Sequence, residues 1–140
     1  MEAEKLTLTV VTPERAVVDR VSCDAVTLPT ERGEIGILPG HTPLITLLGI
    51  GVVGWSVGKE KGSVAVKGGF AEIALDAVRI LADVAAPADA IERSAATRQR
   101  DAADRARQSV VGDEQLDAVN ADAAYAEACL AVSAGEKKGR

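Results

Sequence analysis

The sequence changes its hydrophobic period at about Asp83, and a chain with two periods must build two kinds of structure. Before that point the apolar residues fall in short runs of β type. Leu6, Leu8 and Val10 alternate with Thr7, Thr9 and Val11, which sets one row on a buried face and leaves the threonines mostly on the other. Similar runs occupy 16–21, 25–28, 34–38, 44–48, 52–57, 63–66, 70–75 and 78–81. Between them stand turn formers: Pro13, Gly33, Pro39-Gly40, the stretch 58–62 and Gly68-Gly69. Many short strands at close spacing predict an antiparallel β-sandwich or flattened barrel. A parallel sheet would need helical crossovers, for which this half has no room.

After Asp83 the chain turns to alanine and charge, the composition of helix. Asp89 and Glu92 just after Pro87 have the spacing of a capping box, which predicts a helix from there to about Val111, with Gly112 as its stop. Asp113 then caps a second helix, whose apolar positions Leu116, Val119, Ala123, Ala126 and Leu130 form one seam. A link of one or two residues makes the pair antiparallel. Asp113 and Glu114 suit a helix N-terminus, and Lys137, Lys138 and Arg140 are expected beyond the C-terminus as a basic tail. The fold class is therefore mainly β plus α: an antiparallel sandwich over 1–86, then a helix-turn-helix hairpin over 87–140. Because the seam is mostly alanine, and each buried methyl contributes about 0.8 kcal/mol, the hairpin is expected to dock only modestly and to serve as a two-position element.

Charge narrows the functions. The net charge is −5, the wrong sign for binding a phosphate backbone, so no nucleic acid partner is expected. No charged residue occurs between Glu34 and Lys59, a span long enough for a membrane helix of about 20 residues, yet its glycines and prolines suit strands instead. The N-terminus lacks the pattern of a signal peptide. Cys23 and Cys129 lack metal-ligand spacing and read as reduced cysteines in a cytoplasmic compartment.

Chemistry is sparse. Residues 49–54 match GxGxxG, with Glu72 at a plausible distance for a ribose-binding acid, but the fingerprint works only where a helix begins, and here the sequence runs into Trp55-Ser56-Val57. The glycines instead ease a bend between strands. His41, the one histidine, lies in a Pro-Gly-His turn without a nucleophile or second ligand. The acid pairs Glu31/Glu34 and Asp101/Asp104 each have an arginine within reach and read as surface charge, with intrahelical pairs such as Asp101 to Arg105. No catalytic, cofactor or metal site is expected.

Three stretches, in order, carry a resemblance: LTVVTPERAVV at 8–18, GEIGILPGHTPLITL at 33–47 and KGGFAEIALDAVRILAD at 67–83. Together they resemble the epsilon subunit of bacterial and chloroplast F-type ATP synthases. The resemblance implies a non-catalytic central-stalk subunit whose sandwich binds the gamma subunit and the c-ring. It implies a hairpin that folds on the sandwich or extends towards the catalytic alpha/beta hexamer to restrain ATP hydrolysis. It further implies a peripheral place on the cytoplasmic face of a bacterial inner membrane, reached only through the complex. On this reading the turn bearing Glu31, Arg32 and Glu34 faces the c-ring, and Arg93, Arg98, Arg100, Arg105 and Arg107 are candidate regulatory contacts to the acidic segment of the family's beta subunits. The family's ATP-binding motif, I/L-D-x-x-R-A, is broken here: Ile91-Glu92 is followed by Ala95 where the arginine belongs, and the neighbouring register puts Ser94 there. An unrelated adapter of the same architecture and a small dinucleotide-binding enzyme remain as alternatives.

Overall fold

The computed structural model describes residues 4–138, and among these the side chains of 4–135; Arg140 lies outside the described residues. Eight strands form the N-terminal part: β1 Leu6–Val11, β2 Ala16–Cys23, β3 Ala25–Thr30, β4 Gly33–Ile37, β5 Leu44–Leu47, β6 Ile50–Val57, β7 Glu60–Ala74 and β8 Ala77–Pro87. A 3-10 turn at Ala88–Ala90 leads to helices α1, Arg93–Arg107, and α2, Asp113–Lys138. The strand order is β2-β1-β8-β7-β6-β3-β4, with β5 pairing β7.

The expected alternation in β1 is present, since Leu6, Leu8 and Val10 are fully buried. They join Leu28, Ile37, Val53, Val64, Val66, Ile73, Val78 and Ile80 in one core made of aliphatic side chains. The charge-free span is occupied by β4, β5 and β6. No helix among the described residues is long and apolar enough to cross a membrane.

Two strand expectations need correction. Gly68-Gly69 is not a turn: β7 runs through it for 15 residues, pairing with β6 up to Lys67 and with β5 from Phe70. Both glycines have positive φ, +72° and +113°, so they bend the strand without ending it. The ribbon of β7 and β8 also changes its buried side at this level. Val78, Ile80 and Ala82 face the core before it and Ala85 faces the core beyond it, as expected where strands pass from one layer of a sandwich to the other. Secondly, one pairing is parallel: β1 runs alongside β8, Thr7 opposite Ala77 to Val11 opposite Leu81. No helical crossover is required, because the six intervening strands make the connection.

The GxGxxG stretch lies in and just before β6 and starts no helix. Its glycines give β3 room. A Cβ at Gly49, Gly51 or Gly54 would come within 3.0–3.1 Å of Thr30, Pro29 or Thr27, so side chains there would push the two strands apart.

The hairpin begins later and its link is longer than the spacing suggested. Pro87 still pairs with Val64 in the sheet, Asp89 lies in the 3-10 turn, and the Glu92 side chain makes no capping bond. It accepts instead from the Ser94 hydroxyl at 2.8 Å. Helix α1 stops at Arg107 rather than Val111, and residues 108–112 form the link. Gly112, at φ +90°, gives its carbonyl to the Leu116 amide, so Asp113 is the first helical residue rather than the cap. It still stands, with Glu114, at the positive end of the helix. Lys137 and Lys138 belong to α2 and do not follow it.

Candidate functional site

Two regions hold the candidate residues. The first is the β3–β4 turn. Thr30 organises it: its Oγ1 donates to the Gly33 carbonyl at 2.7 Å and accepts the Arg32 amide at 3.2 Å. Gly33 at φ +115° completes the reversal. Glu31, Arg32 and Glu34 are all exposed, and among the described residues none of the three makes an ion pair, so Arg32 does not neutralise the flanking acids. Beside them lies an open groove of about 270 Å³ between Thr30, Glu31 and Arg32 on one wall and Ile45, Thr46 and Leu47 on the other. A braced turn carrying unpaired charge suits polar contact with a partner's loop.

The second region is the docked hairpin. Helix α2 lies on β6 and β7, where Ala65, with Val52 beside it, meets Ala128, Cys129 and Val132, and α1 adds Ala96. Of the predicted seam, Ala123 and Ala126 are buried and Val119 is half-buried, while Leu116 is exposed. The seam extends past Leu130 to Val132 and Ser133, and it includes Tyr125 and Cys129, which the sequence reading missed although they continue the same three-four spacing. Burial raises the Tyr125 phenol above its ordinary range, the adjacent Cys129 thiol adds to this, and burial raises Cys129 likewise. Both are neutral at pH 7. Cys23 and Cys129 are free and buried. Charge enters the dock at one edge, where Lys67 of β7 stands 3.7 Å from Asp122 of α2 in a half-exposed pair of small energetic weight.

The five arginines do not converge. Arg93 donates from Nη1 to the Leu130 carbonyl at 3.3 Å, tying the start of α1 to α2. Arg107 donates to Asp104 at 2.8 Å and from Nε to Asn120 at 2.9 Å, tying the other end. Arg100 faces Asp101 at 3.5 Å, and Arg98 and Arg105 are exposed. The expected Asp101 to Arg105 pair is replaced by these two. From Arg93 to Arg107 the helix spans about 21 Å at 1.5 Å per residue, too far for one anion to bridge. His41, outside both regions, donates from Nδ1 to the Thr42 carbonyl at 2.6 Å.

Residues 5–88, which span the whole strand part, match the family profile of the ATP synthase delta/epsilon chain beta-sandwich domain. This protein belongs to the ATP synthase epsilon chain family. An epsilon chain of Desulfitobacterium hafniense is 36% identical over 94% of this chain and 97% of its own length, so the likeness to the epsilon family continues through the hairpin. One of Solibacter usitatus is 47% identical over 64% of this chain and 66% of its own. Among solved structures, a chain of the Euglena gracilis mitochondrial ATP synthase, in an assembly with OSCP and the c-ring, superposes with a TM-score of 0.76. It covers 91% of this chain and 80% of that one at 22% identity, and so speaks for the fold alone.

Proposed function

We propose that this protein is the non-catalytic epsilon subunit of a bacterial rotary ATP synthase, seated in the central stalk between gamma and the c-ring. The observation that carries the reading is the family match over the whole sandwich, together with a relative of the same name aligned along 94% of the chain. The sandwich is the rotor-binding part. It ends with Pro87, and the 3-10 turn after it is the joint from which the regulatory hairpin moves. The protein reaches the cytoplasmic face of the inner membrane through the complex. Physical features agree with a regulator that changes position: the buried part of the dock on β6 and β7 is three alanines with Cys129 and Val132, and the one ion pair across it among the described residues is half-exposed. Released, the hairpin would present its five arginines to an acidic surface of the alpha/beta hexamer. The test is co-purification: tagged full-length protein retains gamma through extensive washing, and loss of gamma at micromolar protein would remove the stalk assignment.

The turn bearing Glu31, Arg32 and Glu34 is the proposed c-ring contact. Changing Glu31 and Glu34 to lysine alters exposed positions, so unfolding should shift by less than about 0.5 kcal/mol. The loss should fall on assembly instead, read as weakened proton-coupled ATP synthesis in reconstituted vesicles. Coupling equal to the unaltered protein's would take this loop out of the contact.

A further inference from the structure

The turn between β3 and β4 holds its charge in an arrangement that electrostatics disfavours. Glu31 and Glu34 lie three residues apart across a tight reversal, both exposed, and among the described residues Arg32 between them pairs with neither. Like charges left without a counterion push apart. Gly33 adds freedom of its own: its φ of +115° makes the reversal possible, but glycine loses more conformational entropy than any other residue when fixed. Packing restrains the crown little on the β5 side, where the open groove of about 270 Å³ separates it from Ile45, Thr46 and Leu47. The base is firmer. Pro29 stands opposite Glu34 and Thr30 opposite Gly33 in the ladder, and the Gly49 amide donates to the Pro29 carbonyl at 2.9 Å. Gly49 lies so close that a Cβ there would come within 3.1 Å of the Thr30 backbone. Above that base the crown is held by one hydroxyl: Thr30 Oγ1 donates to the Gly33 carbonyl at 2.7 Å and accepts the Arg32 amide at 3.2 Å. Both backbone partners belong to exposed residues, where water can replace the hydroxyl, so these bonds add little to the stability of the sandwich. Their effect is to order the turn.

We propose that Thr30 is a positioning residue for rotor coupling: its hydroxyl fixes the backbone from which Glu31 and Glu34 project, so that the turn meets the c-ring already shaped. The proposal rests on the c-ring reading of this turn given above and adds to it the residue that prepares the contact. The role needs a donor and an acceptor on one oxygen, which a hydroxyl supplies. Valine keeps the branched shape and loses both bonds, whereas serine keeps both bonds and loses only the methyl. A turn without the hydroxyl must be ordered at the moment of contact, which weakens binding by about three- to tenfold.

The experiment titrates the full-length subunit into vesicles whose ATP synthase has been stripped of it, and reads the concentration that restores half of the proton-coupled ATP synthesis. Thermal unfolding of each variant accompanies it. Thr30→Val is expected to raise that concentration about three- to tenfold with an unfolding midpoint within about 3 °C of the unaltered protein's, while Thr30→Ser stays within about twofold. Because Thr30 acts through the two carboxylates, Thr30→Val should add nothing to the change that Glu31→Lys with Glu34→Lys already produces. Thr30→Ala repeats the test should the valine variant fail to fold. A folded valine variant that restores coupling at the unaltered concentration, beside an impaired charge reversal, would overturn the role of Thr30 and leave the c-ring contact standing. Coupling untouched by the charge reversal would overturn both. A loss that serine shares, or that adds in full to the charge reversal, would assign Thr30 to the fold rather than to the contact and overturn the proposal.

Discussion

Gly69→Ala is expected to destabilise the sandwich by about 4 kcal/mol, a large part of the 5–15 kcal/mol that holds a domain of this kind together. Two causes act at one atom. The backbone at Gly69 has φ +113°, a conformation that residues with a Cβ rarely adopt. A Cβ there would also overlap the Leu81 carbonyl oxygen and crowd the Ala82 Cα, both backbone atoms that cannot swing aside. Relief would require β7 and β8 to separate at the bend where the ribbon changes its buried side. Thermal unfolding should show the midpoint falling by roughly 10 °C or more. Gly36→Ala is the control, because nothing lies within 4 Å of a Cβ there, and it should change stability by less than about 0.5 kcal/mol. Equal midpoints for the two variants would mean that the bend tolerates a side chain and that the glycine pair is not what shapes it.

Stopping the chain after Ala88 should leave a sandwich that unfolds cooperatively, since it keeps every residue of β8 and the whole aliphatic core. The assembled ATPase containing this shortened subunit is expected to hydrolyse ATP several-fold faster than the complex with the full chain, because the restraining arm is gone. ATP should not mimic that deletion in the intact subunit. Arg93 is committed to the Leu130 carbonyl, Arg107 to Asp104 and Asn120, and Ala95 or Ser94 stands where the family motif has arginine, so among the described residues no cluster of cationic donors faces one phosphate chain. Calorimetric titration of the isolated subunit at millimolar nucleotide should therefore be flat. A one-to-one isotherm abolished by Arg93→Ala would show a rearranged nucleotide site, and an unchanged hydrolysis rate after truncation would deny the hairpin its regulatory role.

Local patterns in the sequence carried much of this fold, and the failures have identifiable causes. The Leu6, Leu8, Val10 row was legible because alternation is a property of neighbours along the chain. The parallel register of β1 on β8 was not, because nothing near Thr7 encodes its meeting with Ala77. Gly68-Gly69 has the composition of a turn, and only the pairing of β7 with β8 through the glycines distinguishes a bend from a reversal. The helix start was misplaced because Pro87 and Asp89 carry helix-opening chemistry while the sheet still holds Pro87. At the candidate sites the exposed turn at 31–34 was readable from its charge. The exposure of Leu47, Phe70 and Leu81 was hidden, since they sit in ordinary strand runs and only the three-dimensional pairing decides which face of each turns outward.

The parallel seam between β1 and β8 also bears on how the protein is made. Of the eight strands described, β1 leaves the ribosome first and must wait, because its neighbour on one side is β8, the last of them. Until β8 is synthesised, β1 has only β2 to pair with, and its other edge stands open to any strand it meets. Closure of the sheet is thus a late event between distant parts of the chain, of the kind that folds slowly. The hairpin, which follows β8 directly, emerges when its seat on β6 and β7 is becoming available. A nascent chain arrested before residue 77 should accordingly be protease-sensitive and prone to aggregate, whereas one released beyond Pro87 should be compact before its helices have formed.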